Sequence, residues 1–334
     1  MVKSKKINVG ISIGDPNGIG IEVMLKALSD SPSNDNCNYI IYSSHELIIN
    51  QKKDLNINTL PIKKIESFDE ISHDSLNIKE VFTESNYEFG VVDKQVSHNA
   101  IISFKEAVKD ASDKNIDVLI TSPIDKNLSY SESFKYLGHT DYLRHYFNLD
   151  PIMLMVSKKL KVGLLTEHIS LKDVVQNITV EKTTKKLKLL CQVLNKDFGI
   201  IKPKIATLSI NPHVGDNGVI GTEDQKLLTP AINELNKKEE IIYGPFSADT
   251  FFCNNNYAKY DAILAVYHDQ GLIPFKTISF GEGINYSAGL PIIRTSPDHG
   301  TGFDIAGKSI ADPSSFKHAL KIALDIYEVR NKIV

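Results

Sequence analysis

The chain has 334 residues, 42% of them hydrophobic and 24% charged, enough to bury a full core and to form two domains. Lys plus Arg number 38 against 41 Asp plus Glu, a formal net charge of −3, so no field of one sign draws in nucleic acid or a membrane surface. A small-molecule partner is favoured. Residues 1–6 are basic, but INVGISI (7–13) is too short for a signal segment, and no apolar run approaches the roughly 20 residues that span a bilayer. A cytoplasmic location is expected.

In chain order, INVGISI (7–13), NYIIYS (38–43), DVLITSP (117–123), PIMLMVS (151–157), KVGLLT (161–166), KIATLSI (204–210) and DAILAVY (261–267) read as buried strands. Between them lie helical patterns, GIEVMLKALSD (20–30) and NAIISFKEAVKDASDK (99–114), the latter with Ile101, Phe104, Ala107 and Val108 on one face. The alternation predicts an α/β protein with helices on a largely parallel sheet. Residues 31–80, rich in Asn, Ser and Lys, read as the least regular and most peripheral part. Cys37, Cys191 and Cys253 are far apart with no C-x-x-C, and each is expected to be a buried free thiol.

Three of the strands are followed by histidine: His168 after KVGLLT, His213 after KIATLSI and His268 after DAILAVY. In open α/β sheets ligands gather beyond the carboxyl ends of strands. Three neutral imidazoles there with an open position would suit a catalytic divalent metal, and three separate polar loop residues are the plainer reading. His45, His73, His98 and His145 lack that placement and are read as surface or core residues.

Several loops have the composition of anion sites. ISIGDPNGIGIEV passes from strand to helix through Gly14, Gly18 and Gly20, a spacing that is not G-x-G-x-x-G and that also suits a tight turn without a ligand. YLGHTDYL places Thr140 as a helix N-cap with Asp141 in the first turn and His139 beside it. NPHVGDNGVIGTEDQ (211–225) is long, glycine-rich and acidic, as functional loops often are. Downstream come Lys276, Asn285 and Arg294, then a glycine-rich turn with His299; Lys and Arg suit phosphate or carboxylate oxygens, or simply solvent.

The motifs GDPNGIG, TSPIDK, GHTDYL, NPHVGDNGVIGTED, GPFSADTFF, YHDQGLIPFK and GLPIIRTSPDHGTGFDIAGK occur in the order and spacing of 4-hydroxythreonine-4-phosphate dehydrogenases, which the chain resembles from residue 10 to about 312. SPDHGTGFDIAGKSIADP also resembles the coenzyme loop of isopropylmalate and isocitrate dehydrogenases, and GDPNGIG their GDGIG turn. The resemblance implies two α/β/α domains of that type, residues 1–130 with 280–334 and residues 131–279, with the active site in the cleft between them. It implies metal ligation by His168, His213 and His268, substrate contacts from His139, Thr140, Lys276, Asn285 and Arg294, and coenzyme contacts from His299, Gly300 and Asp304. Lys276, Asp249 and Asp269 are the candidate catalytic groups. A homodimer is implied, with the site at the subunit interface and metal ligands drawn from both subunits.

The implied reaction is oxidation of 4-phosphooxy-L-threonine at C3 by NAD or NADP, with one divalent cation (Zn, Co, Mn or Mg), and decarboxylation of the β-keto acid product, in pyridoxal 5'-phosphate biosynthesis. Ser247 where proline is common, Val214 where alanine is common and NYSAGLP for NVTLGLP depart from the family pattern. They leave 4-phospho-D-threonate, phospho-erythronate and a carboxylated cyclohexadiene diol open as substrates. A metal-dependent hydrolase and a phosphometabolite-binding protein with a structural metal are the readings from other classes.

Overall fold

The computed structural model describes residues 6–29, 36–125, 134–238 and 241–332. Residues 1–5 of the basic N-terminal stretch and Lys126 of TSPIDK lie outside them. The chain divides into two compact units, Met1–Leu149 with Leu290–Tyr327, and Asp150–Gly289 with Glu328–Val334.

The first unit holds β1 (Ile7–Ser12), β2 (Cys37–Ser43), β3 (Ile62–Ile65), β4 (Leu76–Glu80), β5 (Val118–Thr121) and, numbered in chain order, β12 (Arg294–Pro297). They lie in the order β3-β4-β2-β1-β5-β12, every pair parallel. Burial on both faces is why β1, β2 and β5 appear in the sequence as nearly unbroken apolar runs. The helix Lys94–Ser112 is capped by Asp93, whose carboxylate accepts from the Gln95 and Val96 amides. Its buried face carries Ile101, Phe104, Ala107 and Val108, as the spacing predicts, packed into one cluster with Tyr42, Leu119, Phe134 and Tyr142. Fully burying a side chain such as Phe104 contributes about 1.5–3 kcal/mol.

Residues 36–80, the described part of the 31–80 stretch, are more regular than their composition suggests. They contain the helix His45–Asp54 as well as β3 and β4. IKKI is a sheet-edge strand with two exposed lysines, and the helix HELIINQKKD buries only Leu47, Ile48 and Gln51, so both carry a weak apolar signal.

The second unit holds β6 (Ile152–Val156), β7 (Lys161–Leu164), β8 (Lys204–Leu208), β9 (Ile241–Phe246), β10 (Ala262–Ala265) and β11 (Ile284–Ala288), in the order β11-β6-β7-β10-β8-β9. Here β11, β6 and β7 pair antiparallel, whereas β7, β10, β8 and β9 are parallel, so this sheet is mixed. The helix His268–Ile278 sits on the sheet through Gly271, where an added Cβ would come within 2.8 Å of Ala265 Cβ and 2.9 Å of Val162 Cγ1. Cys37 and Cys191 are buried, as expected; Cys253 is exposed, because it begins an irregular surface turn after the short helix Ala248–Phe251. Among the described residues no helix is long and apolar enough to cross a membrane.

Candidate active site

In the first unit Arg294 opens β12, next to β5, and is 2% exposed. Its Nε and Nη2 donate to Thr121 Oγ1 at the end of β5, at 3.0 and 2.6 Å, and Nη2 also donates to His139 Nδ1 at 3.0 Å. A guanidinium has donors only, so His139 Nδ1 is the acceptor and its ring proton sits on Nε2. Phe104 packs against that imidazole, ring centroids 4.4 Å apart. Complete desolvation pulls the Arg294 pKa down to about 9, which leaves it a cation at neutral pH.

His139 begins the helix His139–Phe147, but Thr140 is not its cap. Gly138 occupies that position with φ +151°, a conformation suited to glycine, and Asp141 reaches back to accept from the Leu137 amide at 3.1 Å. Thr140 therefore lies in the first turn beside His139, where helix N–H groups favour an anion.

The coenzyme-like loop is held in the same unit. Ile19 N–H donates to Thr301 O at 2.8 Å, and a Cβ on Gly18 would lie 2.6 Å from that oxygen, so GDPNGIG is a turn closed against residues 301–303. From the following helix, Gly20–Ser29, Glu22 Oε1 accepts from the Ala311 amide at 2.8 Å, and Lys26 Nζ donates to Ser309 O and Ala311 O. His299 Nδ1–H donates to Gly300 O at 2.9 Å, Gly300 is open to solvent, and the Asp304 carbonyl accepts from Lys308 Nζ at 2.7 Å. Asp15 is buried in the GDPNGIG turn, and desolvation pushes it above the usual carboxylate range against the lowering effect of hydrogen bonds from Ser97 and the Asn17 amide.

In the second unit His168, His213 and His268 follow β7, β8 and β10, which are neighbours in the order β7-β10-β8. His168 and His268 come together, ring centroids 5.5 Å apart, close to the spacing of adjacent strands. His268 Nδ1 is 2.7 Å from Asp269 Oδ1; a proton shared there leaves Nε2 as the electron-pair donor, the usual orientation of a metal-binding imidazole. His213 does not join them: no group of three or more His, Cys, Asp or Glu able to hold a metal is assembled among the described residues of one chain. Within the described residues of one chain the three histidines are therefore not gathered at a point. His213 opens a run of five left-handed residues, φ +50° at His213, +57° at Val214, +79° at Gly215, +44° at Asp216 and +55° at Asn217, so the chain leaves β8 along a path unlike that after β7 or β10. The chemistry of the His168–His268 pair fits two positions of a divalent transition-metal site and leaves the third to come from elsewhere.

Asp249 lies in the helix Ala248–Phe251. A 2.6 Å hydrogen bond from Ser247 Oγ, and less strongly the nearby His213, holds its carboxylate below the usual range. Lys276 is exposed in the last turn of His268–Ile278, about 12 Å along the helix from His268. Asn285 lies on β11, its Oδ1 buried with no hydrogen-bond partner. Its neighbour Tyr286, on the other face, donates to Asp197 Oδ2 at 2.6 Å, and Arg330 Nε donates to Asp197 Oδ1 at 2.7 Å, so the strand under Asn285 is anchored.

Comparison with known proteins agrees with these motifs. The family described as pyridoxal phosphate biosynthetic protein PdxA matches residues 35–323. The chain belongs to the PdxA family. A 4-hydroxythreonine-4-phosphate dehydrogenase from a Sulfurihydrogenibium species is 43% identical over 97% of this chain and 99% of its own length. The crystal structure of the enzyme of that name from Klebsiella pneumoniae superposes with TM-score 0.84 at 29% identity, covering 97% of this chain and 98% of that one. Isocitrate dehydrogenase from Methylococcus capsulatus, at 11% identity and TM-score 0.51 over 98% of this chain and 88% of that one, shares the fold. PdxA membership makes the protein an oxidoreductase with the α/β architecture expected from its sequence.

Thr121, Glu22, Lys26, Asp224 and Gln270 are absent from the residues singled out by sequence. Thr121 stands in the TSPIDK motif and Gln270 in YHDQG, so their motifs were visible although their partners were not.

Proposed function

We propose that this PdxA-family protein oxidises 4-phosphooxy-L-threonine at C3 with NAD or NADP as acceptor, giving 2-amino-3-oxo-4-phosphooxybutanoate, which loses CO2 to form 3-amino-2-oxopropyl phosphate in vitamin B6 biosynthesis. The observation that carries this reading is the 43% identity, over 97% of the chain, to a relative named for that activity. Retention of every metal and substrate residue that the resemblance carries over, together with the Arg294–Thr121–His139 group, supports it.

Arg294 is the cation for the substrate phosphate, with His139 Nε2–H and Thr140 as further donors. Asn285 and Lys276 complete the hold on its polar groups. Asp249, kept ionised by Ser247, is the candidate acceptor for the C3 hydroxyl proton. Asp269 holds the His268 ring, and Lys276 offers charge to the carboxyl end of the substrate. A divalent cation (Zn, Co, Mn or Mg) held by His168 and His268, with His213 of a second copy, would supply Lewis acidity toward the hydroxyl and the enolate left by decarboxylation. His299, Gly300 and Asp304 would hold the nicotinamide coenzyme, which would supply the hydride acceptor. The working form is then a cytoplasmic homodimer.

The test is incubation with 4-phosphooxy-L-threonine, NAD and a divalent metal while absorbance is followed at the NADH band. NADH formation at a rate above those with 4-phospho-D-threonate and phospho-erythronate is the expected result. No signal with any metal and either coenzyme would end the dehydrogenase reading, and faster turnover of a rival substrate would reassign it.

A further inference from the structure

The backbone ladder between β10 and β8 stops before the histidines begin: its register pairs Ala262–Leu264 with Ile205–Thr207. Past that point one side chain continues it. Val266 N–H donates to Gln270 Oε1 at 2.7 Å, and Gln270 Nε2 donates to Ser209 O at 2.7 Å. The primary amide takes the place of a peptide unit, accepting from one strand end and donating to the other.

The bridge belongs to a longer chain of contacts. Val266 O accepts from both Thr166 Oγ1 (2.7 Å) and Thr166 N–H (3.1 Å), which ties the β10 end to the stretch leading to His168. On the other side, the fully buried Asp224 accepts from the consecutive Ile210 and Asn211 amides at 2.7 and 2.9 Å, immediately before His213. Asn211 Nδ2 donates to Glu223 Oε2 at 2.8 Å. The segments bearing His168, His268 and His213 are thus joined in series, and Gln270 is the link between the latter two. It also sits two residues into the helix that His268 begins, so fixing it fixes the rotation of that first turn.

We infer that Gln270 is a positioning residue for the metal-binding histidines, holding the end of β10 against the end of β8 so that His268 and the His213 loop are presented in a fixed relation. The inference rests on the metal reading above. Glu at this position keeps the acceptor for Val266 N–H but sets a carboxylate against Ser209 O; Ala removes both contacts.

The experiment measures Co2+ affinity of the full-length wild type, Gln270→Ala and Gln270→Glu by visible absorption and calorimetry. Ser279→Ala, which removes a buried hydrogen bond to Ser157 beyond the far end of the same helix, is the control for general loosening. The expected result is Co2+ binding weakened about tenfold or more in both Gln270 variants and unchanged in Ser279→Ala, a size typical of losing outer partners of a metal site. Turnover of the variants should recover as Co2+ is raised, a shift in apparent metal KM at near-constant kcat. Wild-type binding matched within twofold by both variants overturns the inference while leaving the metal reading intact. Absence of Co2+ binding by the wild type overturns both. If Gln270→Ala does not fold, Gln270→Glu carries the comparison, since it keeps one of the two contacts.

Discussion

The Arg294 guanidinium lies 3.0 Å from His139 Nδ1 and donates to it, so a buried cation sets which nitrogen of the imidazole carries the proton. His139→Phe keeps a ring in that place but removes the acceptor, so a buried guanidinium donor loses that partner at a cost of about 1–3 kcal/mol, and KM for the phosphorylated substrate should rise about tenfold. A KM equal to that of the wild type would contradict the assignment.

Thr121 accepts twice from Arg294, and valine has its shape without its oxygen. Thr121→Val leaves buried donors unmet at a cost of about 1–3 kcal/mol, and kcat/KM for the phosphorylated substrate should fall about tenfold. Equal kcat/KM in the two proteins would show that Thr121 does not set the guanidinium.

His213→Ala should abolish both turnover and tight metal binding while leaving the fold intact, and so should His268→Ala. If His213 serves the partner's site, mixing the two inactive variants after dissociation restores one intact site per mixed dimer, about a quarter of wild-type activity after random reassortment. No recovery from mixtures that mass spectrometry shows to contain mixed dimers would confine the site to one chain.

Much of this site was visible from the residues, and the remainder was hidden for a definable reason. His168 and His268 stood out because each follows within a few residues of an apolar run, and the sheet does set them at strand spacing. His213 was equally conspicuous, but apolar patterning carries no information on backbone handedness. Gln270 and Thr121 act on groups 61 and 173 residues away, one of them a backbone carbonyl, and no local pattern encodes such a partner. The sheet-edge strand β3 was missed because edge strands need few apolar residues, and β4 beside it shows only Leu76 and Ile78 as an apolar signal.

Asp15 offers a test of stability against pH. Its pKa is raised by burial, so the folded state holds the proton more tightly than the unfolded chain. The penalty is complete above the raised pKa and is relieved as pH falls through it. Asp15→Asn, neutral throughout, should gain stability over wild type at pH 7 by more than at pH 4.5 in urea unfolding. An advantage of the same size at both pH values would contradict desolvation as the cause.

The left-handed run from His213 to Asn217 has a consequence for chemistry outside the genetic code. Left-handed turns cost L-residues about 1–2 kcal/mol each, and Val214, branched at Cβ, is poorly suited to φ +57°. For residues of opposite chirality the same backbone is the relaxed one. A semisynthetic chain carrying D-valine at 214 or D-asparagine at 217 should therefore be more stable than the natural protein, the reverse of what mirror-image residues do elsewhere in a fold. Gly215, with φ +79°, bears no side chain of either hand, and the carbonyl oxygen of Gly221 stands 2.2 Å from where an L-Cβ would lie. At that position an L-side chain has neither the backbone nor the room.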